Sequence, residues 1–167
     1  GGGVKEILKI REAVLQALRT AGMTALEAYP AQWAREYAGA VATVDVGTVD
    51  GTVMGFCSYL GEVYDPEKGT VRELYGKQLE AEIWVDVYGG KASECQEGCC
   101  QAADVLLGGL PSGIRPGELS WEGLVWEKET ALFRRRGRLR CGAVFVAETT
   151  EDGTAFLDFQ LKGVVQT

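Results

Sequence analysis

Apolar and polar residues alternate strictly along residues 79–87, and this period of two predicts a β-strand with one buried face. The residues predicted to face the core are Leu79, Ala81, Ile83, Val85 and Val87. The residues predicted to face the other side include the carboxylates Glu80, Glu82 and Asp86. Everything else in the chain is interpreted around this strand.

A helix is predicted directly after the strand, because the apolar period changes beyond Gly89 and Gly90. The new spacing is i, i+4, i+7 and i+11, which is one stripe of a helix. The stripe consists of Cys95, Cys99, Ala102 and Leu106. Ser93 is predicted to be the N-cap, and Glu94 lies near the positive end of the helix dipole. The helix is expected to pack back on the strand.

The remaining chain reads as one helix and several short strands. A helix is predicted over 4–21, ended by Gly22. Strands are predicted over 25–29, 41–49, 53–60, 71–75, 119–126, 130–133, 139–147 and 157–165, and the last two are expected to form a terminal hairpin. Asp50-Gly51 favours a hairpin turn, and a further turn is predicted over 64–69. If strand 119–126 lay parallel to the central strand, the crossover would be right-handed.

The order of elements, α-β-β-β-α-β-β-β, predicts an α+β fold with a mostly antiparallel sheet and two helices packed on one face. Residues 53–71 are expected to project from the domain as a long β-hairpin arm, because the excursion is longer than a small sheet needs. Residues 4–165 are predicted to form a single domain. Gly1–Gly3 precede it without an initiator methionine and are interpreted as an expression remnant.

Composition narrows the classes of function. The chain has 167 residues, a net charge of −7 and no histidine. The absence of histidine excludes Ser-His and Cys-His catalysis. The acidic balance argues against broad binding to nucleic acid or to an anionic membrane. No spanning helix or signal peptide is expected. Five cysteines form an odd count, which favours reduced thiols in the cytosol.

The cysteines of the second predicted helix have two interpretations. A metal or redox site could use Cys95, Cys99 and Cys100, joined by Cys57 or Cys141. Zinc sites, however, prefer two Cys pairs with gaps of two to four residues, and a second pair is missing from the sequence. Because Cys95 and Cys99 lie on the apolar stripe, a structural role in the core is favoured.

An arginine cluster stands out in this acidic chain. It consists of Arg134, Arg135, Arg136, Arg138 and Arg140. One interpretation is a solvated turn with Gly137 at its tip, and the other is a contact surface for another subunit or for phosphate. Trp84, on the polar strand face, is either an interface residue or a cross-strand packing residue. The predicted interface residues are Arg134, Arg135, Arg136, Arg138, Trp84, Glu80, Glu82 and Asp86.

Several stretches resemble the tail terminator, or tail-completion, minor tail proteins of long-tailed bacteriophages and prophages. They are VKEILKIREAVLQAL, AYP, LEAEIWVDVYGG with CCQAADVLL, and ALFRRRGRLRCGAVFVAE with FLDFQLKGVV. The resemblance implies a virion structural protein and not an enzyme, without catalytic residues, metal or cofactor. Such proteins form a homohexameric ring that caps the tail tube and joins it to the head connector.

The implied partners are copies of the chain, a tail tube protein and a head–tail connector protein, without membrane or sequence-specific nucleic acid. The implied location is the virion tail or neck, after assembly in the host cytoplasm. Two alternatives stay open. One is another neck or tail tube component. The other, from a different class, is a small-molecule- or metal-binding α+β module that uses Cys95, Cys99 and Cys100; a deep apolar pocket with converging polar groups would favour it.

Overall fold

Two long antiparallel strands form the centre of the structure. A computed structural model describes residues 4–27, 37–48, 57–149 and 158–164, which contain two helices and one eight-stranded sheet. The helices are α1 (Val4–Thr20) and α2 (Ala92–Gly108). The strands are β1 (Thr24–Leu26), β2 (Val41–Thr48), β3 (Cys57–Asp65), β4 (Thr70–Gly89), β5 (Ile114–Trp121), β6 (Val125–Glu127), β7 (Leu132–Glu148) and β8 (Gln160–Leu161).

The pairing of β4 with β7 runs in unbroken register from Leu74 opposite Glu148 to Gly89 opposite Phe133. The outer edge of β4 is shared by β2 and β3, and the outer edge of β7 is shared by β5, β6 and β8. Only the pair β1–β2 is parallel among the described strands. Every shorter strand except β1, which pairs with β2, is therefore held in the sheet by one of the two long strands.

One buried cluster joins the sheet to the helices. It includes Leu15 of α1, Leu106 of α2, Ile83 of β4 and Phe145 of β7, all fully buried. Gly98 of α2 allows the helix to approach the sheet closely, because a Cβ there would come within 2.8 Å of the Val87 side chain. The side of the sheet that shares this cluster is called the helix side below.

The predicted α+β class and the mostly antiparallel sheet are confirmed. The observed order has four strands on each side of α2 in sequence, one more than predicted. The predicted N-cap at Ser93 is wrong. The cap position is Lys91, which makes no side-chain capping bond, and Ser93 lies inside the first turn. The end of β4 packs closely against the first turn of α2, since a Cβ on Gly89 would lie 2.6 Å from the backbone nitrogen of Cys95.

The strand predicted over 119–126 is interrupted, and it does not lie parallel to the central strand. The structure has β5 and β6 in its place, with residues 122–124 between them, and both pair antiparallel with β7. A parallel crossover to β4 is therefore absent at this point of the described sheet. Of the short strand predicted over 130–133, residues 132–133 are the start of β7, whereas residues 128–131 form a turn.

The predicted β-hairpin arm is present as β3 and the first part of β4, joined by a turn after Asp65. Residues 70–73 of β4 lie beyond the ladder with β7, so this end of the hairpin is only two strands wide among the described residues. The predicted turn at residues 50–51 lies outside the described residues, as does the end of the strand predicted over 25–29. Of the predicted terminal hairpin, residues 139–147 lie in β7, and the described part of the second strand is β8, which pairs with Phe145 and Val146.

The close packing of α2 on β4 gives a matched pair of substitutions. Gly98→Ala should lower the free energy of unfolding by about 1–3 kcal/mol, because the new methyl group would overlap Ala40 and Val87. Gly108→Ala, in the same helix but with open space around it, should leave stability unchanged or raise it by up to about 1 kcal/mol. Urea unfolding of both variants measures the difference. Equal effects would contradict the assigned packing.

Candidate functional site

The register of β4 and β7 brings most of the predicted interface residues together on the side of the sheet opposite the helices. Across the two strands, Asp86 lies opposite Arg136, Trp84 opposite Arg138 and Glu82 opposite Arg140. These side chains all point the same way because residues two apart in a strand share a face. We call this surface the charged face; it consists of Glu80, Glu82, Trp84, Asp86, Arg134, Arg136, Arg138 and Arg140.

Asp86 is the central acceptor of the charged face. Its two carboxylate oxygens accept bonds from Nε and Nη2 of Arg136 at 2.7 and 3.0 Å, a bidentate pair. The Arg134 guanidinium lies 3.8 Å from the same carboxylate. The Asp86 side chain is only 14% exposed. The hydrogen bond to Asp86 raises the pKa of Arg136 above its usual value, so this guanidinium is charged at neutral pH.

Two further carboxylates on the neighbouring segments complete the pairing of the arginines. Glu127 of β6 accepts a bond from Nε of Arg134 at 2.7 Å. Glu122, in the link between β5 and β6, accepts a bond from Nη2 of Arg138 at 3.0 Å. Both glutamates were absent from the predicted site. Their positions depend on the bend between β5 and β6, for which the sequence carries no clear signal.

Trp84 lies between two arginines. The guanidinium carbons of Arg136 and Arg138 are 4.7 and 4.9 Å from its ring centroid, and its indole N–H donates to Glu82. Cation–π stacking of this kind holds the side chains in place. The geometry favours local cross-strand packing for Trp84, one of its two interpretations.

The interpretation of the arginine cluster as a solvated turn is wrong. All five arginines lie in β7, four of them half-buried, and Gly137 is buried beneath the ring of Trp121. Arg135 faces the helix side, where its Nε donates to the carbonyl of Glu122 at 2.7 Å and its guanidinium lies 5.6 Å from the Trp121 ring centroid. It therefore stands apart from the charged face.

Glu80 lies at the end of the charged face that is furthest from Arg134. It is exposed and lies across from Gly142 of β7. The predicted interface residues are thus split among a paired central group, one exposed carboxylate and one arginine on the helix side. The fold itself supplies partners for Arg134, Arg136 and Arg138, which are the carboxylates Asp86, Glu122 and Glu127.

The cysteines of α2 do not converge on one point. Cys95 and Cys99 are buried, whereas Cys100 is exposed. The Cys95 thiol donates to the carbonyl of Val87 at 3.2 Å. Burial raises the pKa of Cys95, and raises that of Cys99 and of Cys141 to about 12, which keeps these thiols protonated at neutral pH. Among the described residues, no group of three metal-ligating side chains is close enough to hold an ion.

A groove of about 580 Å³ runs between α1, the end of α2 and β8. Its walls are mainly apolar, but the polar side chains at its rim bind one another. Lys9 donates to Asp158 and to the Phe159 carbonyl, and Gln16 donates to Glu12. The rim groups are therefore not free to converge on a ligand in the groove.

The arm carries a second exposed surface, which is separate from the predicted interface residues. Tyr59, Tyr64 and Val71 are between 51% and 63% exposed, and all three lie on the helix-side face of the hairpin. Glu62 and Glu73 lie directly opposite each other among them. We call this group of five residues the arm patch. The sequence shows its tyrosines, but their exposure depends on how far β7 and the helices extend.

The geometry defines an α+β protein with a projecting hairpin and one sheet face on which ion pairs connect the strands. Comparison with known proteins adds no relative, since no family model and no curated protein matches the chain. Within the described residues, no helix combines the length and apolar character needed to span a bilayer.

The charged face predicts unequal energies for its ion pairs. Asp86→Ala should lower the free energy of unfolding by about 2–3 kcal/mol, because it leaves a half-buried Arg136 without its bidentate acceptor. Glu122→Ala should cost about 0–1 kcal/mol, because the pair with Arg138 is more exposed. Denaturant unfolding of both variants provides the measurement. A cost for Glu122→Ala that matches that of Asp86→Ala would contradict this ranking.

The placement of the cysteines predicts a structural role. Cys99→Ser should destabilise the protein by about 1–3 kcal/mol, because a hydroxyl would be buried among apolar side chains and the weak Cys95 sulfur acceptor. Cys100→Ser, one residue further and exposed, is the control and should be neutral. Thermal unfolding and metal analysis of the purified variants decide the question. Loss of a bound metal at an unchanged melting temperature would contradict the structural role.

Proposed function

We propose that the chain is a virion structural protein that forms a ring at the end of a phage tail tube, as tail terminators do. The proposal rests on the resemblance of its sequence stretches to that family and is supported by the kind of surface that the fold presents. In this proposal its partners are further copies of the chain, a tail tube protein and a head–tail connector protein. It acts in the virion, after assembly in the host cytoplasm.

The arm is the observation that carries the proposal furthest. A two-stranded ribbon has no core of its own and is marginal in water. Tyr64 and Val71 form a cross-strand pair near its tip, 63% and 51% exposed. The outer edge of β3 has no paired strand among the described residues. An exposed edge and apolar tip of this kind are typical of a segment that another subunit covers during assembly.

The charged face supports the same class of protein in a different way. Its central ion pairs and stacked Trp84 hold the two long strands in one geometry, so the sheet can act as a rigid plate. Neighbouring subunits in a ring must meet at a defined angle. A sheet of fixed shape keeps the contact surfaces of each subunit in a constant relation, which sets that angle. The face also presents exposed Arg140 and Glu80 at its margin, where contacts to a partner would be polar and sensitive to salt.

The second class of function, a small-molecule- or metal-binding module, has less support. Cys95 and Cys99 are buried on one side of α2, whereas Cys100 is exposed. Polar side chains at the rim of the groove already bind other groups of the protein. Within the structural class, a neck or tail tube component differs from a terminator in its phenotype. Loss of a tube subunit removes tails, whereas loss of a terminator leaves overlong tails that do not join heads.

Particle assembly tests the proposal. In the phage or prophage that encodes the chain, the double variant Tyr64→Ser, Val71→Ser should yield unjoined heads and overlong or uncapped tails in electron micrographs. The reason is that the arm loses the apolar pair that a neighbour would cover. Leu107→Ser is the control, because Leu107 is similarly exposed on α2, away from the arm.

Three outcomes would change the conclusion. Normal particles after deletion of the whole gene would overturn the terminator role. Complete absence of tails after that deletion would favour a tube subunit instead. Normal particles from the arm variant, with an abnormal deletion strain, would leave the ring role standing but remove the arm from it.

A further inference from the structure

The arm patch places two like charges face to face. Glu62 of β3 lies directly opposite Glu73 of β4, and residues directly opposite in an antiparallel pair have Cβ atoms about 5 Å apart. Like charges at this separation destabilise the hairpin. Glu73 accepts a bond from the Tyr75 hydroxyl at 2.7 Å, but Glu62 makes no ion pair within the described part of the chain. The patch therefore lacks a cation.

An apolar surface with a cation lies at the other end of the same ladder. Trp126 of β6 is 56% exposed and is anchored edge-on to Phe133, with ring centroids 5.0 Å apart. Lys128 follows in the turn, is exposed, and has no ion pair among the residues that the structure describes. We call Trp126 and Lys128 the Trp126 patch. Tryptophan is one of the residues that are enriched at binding hot spots.

The two patches cannot meet within one chain. The arm extends from the end of the ladder at which Leu74 pairs with Glu148, and the Trp126 patch lies at the end at which Gly89 pairs with Phe133. The ladder has sixteen residue pairs, and the fifteen steps between its ends span roughly 50 Å at about 3.3 Å per residue. Sheet twist also turns the helix-side face in different directions at the two ends.

We propose that the arm patch of one copy docks on the Trp126 patch of a second copy of this chain. In this contact Tyr64 and Val71 cover Trp126, and Lys128 lies between Glu62 and Glu73. The charges are complementary, and each copy carries both halves. Two different patches at opposite ends of a subunit make a heterologous contact, which closes into a ring or continues as a filament. The inference rests on the proposed ring and specifies the surfaces that would build it.

Mixing two defective variants tests the contact. The arm variant is Tyr64→Ser with Val71→Ser, and the patch variant is Trp126→Ser. Each should weaken self-association by roughly 30-fold or more, the effect of losing a hot-spot residue. A one-to-one mixture should form pairs with one copy of each variant. Nothing larger should form, because the contact in each pair uses the only intact arm and the only intact Trp126 patch. Sedimentation and native mass spectrometry, at concentrations up to the solubility limit, measure the masses.

Charge exchange tests the same contact without removing apolar surface. The variant Glu62→Lys, Glu73→Lys should associate more weakly than the original chain, and adding Lys128→Glu should restore association. Thermal unfolding confirms that each variant is folded, and Leu107→Ser is the matched surface control. Should Trp126→Ser fail to fold, this charge series replaces it.

Three results would overturn the inference. They are a monomeric original chain at every concentration, variants that keep the original mass, and mixed variants that fail to form pairs. None of these results concerns tail assembly, so the ring role is judged separately by the particle experiment. An arm variant that abolishes tail assembly while the chain stays monomeric at every concentration would assign the arm to the tail tube protein instead.

Discussion

The antiparallel ladder between β4 and β7 is the interaction on which the rest of the structure depends. Both strands are long enough that their outer edges hold five other strands. The ladder also separates two chemistries, because alternation sends Ile83 and Leu139 into the core and Asp86 and Arg136 to the opposite face. A shift of one residue in register would exchange these sets, burying charges and exposing the core. The core and the charged face thus select the same register.

The charged face shows how side chains can be restrained on the sheet face that the described helices leave uncovered. Its arginines are not simply solvated, because Asp86, Glu122 and Glu127 come from three different segments and reach them through the pairing of β4, β5 and β6 with β7. Stacking of two guanidinium groups on Trp84 adds apolar contact to a polar surface. Such a network contributes less stability than the core, but it restrains long side chains and the strands that carry them.

The arm and the Trp126 patch differ from that face because their own chain leaves them incomplete. The arm carries exposed apolar groups and opposed carboxylates, and the far end of the ladder carries an exposed tryptophan and a lysine. A stable monomer gains nothing from either feature. Both become favourable when a second molecule removes the apolar surface from water and neutralises the charge, which is the physical basis for proposing an assembly.

The sequence by itself determined the α+β class, the course of β4, the existence of the arm and the buried stripe of α2, since each depends on a local period that side-chain burial enforces. It also placed Glu80, Glu82, Trp84 and Asp86 on one strand face. Only the tertiary structure decided which residues would oppose them. A solvated turn was one of two interpretations of the arginine segment, because charged residues and Gly137 dominate it. Pairing with β4 makes this segment a strand. The start of α2 at Ala92 and the split between β5 and β6 likewise belong to the folded chain, in which Gly89 packs against the backbone of Cys95 and Gly137 lies beneath the Trp121 ring. Local sequence carries no record of such long-range contacts, because their energy depends on residues far away in the chain.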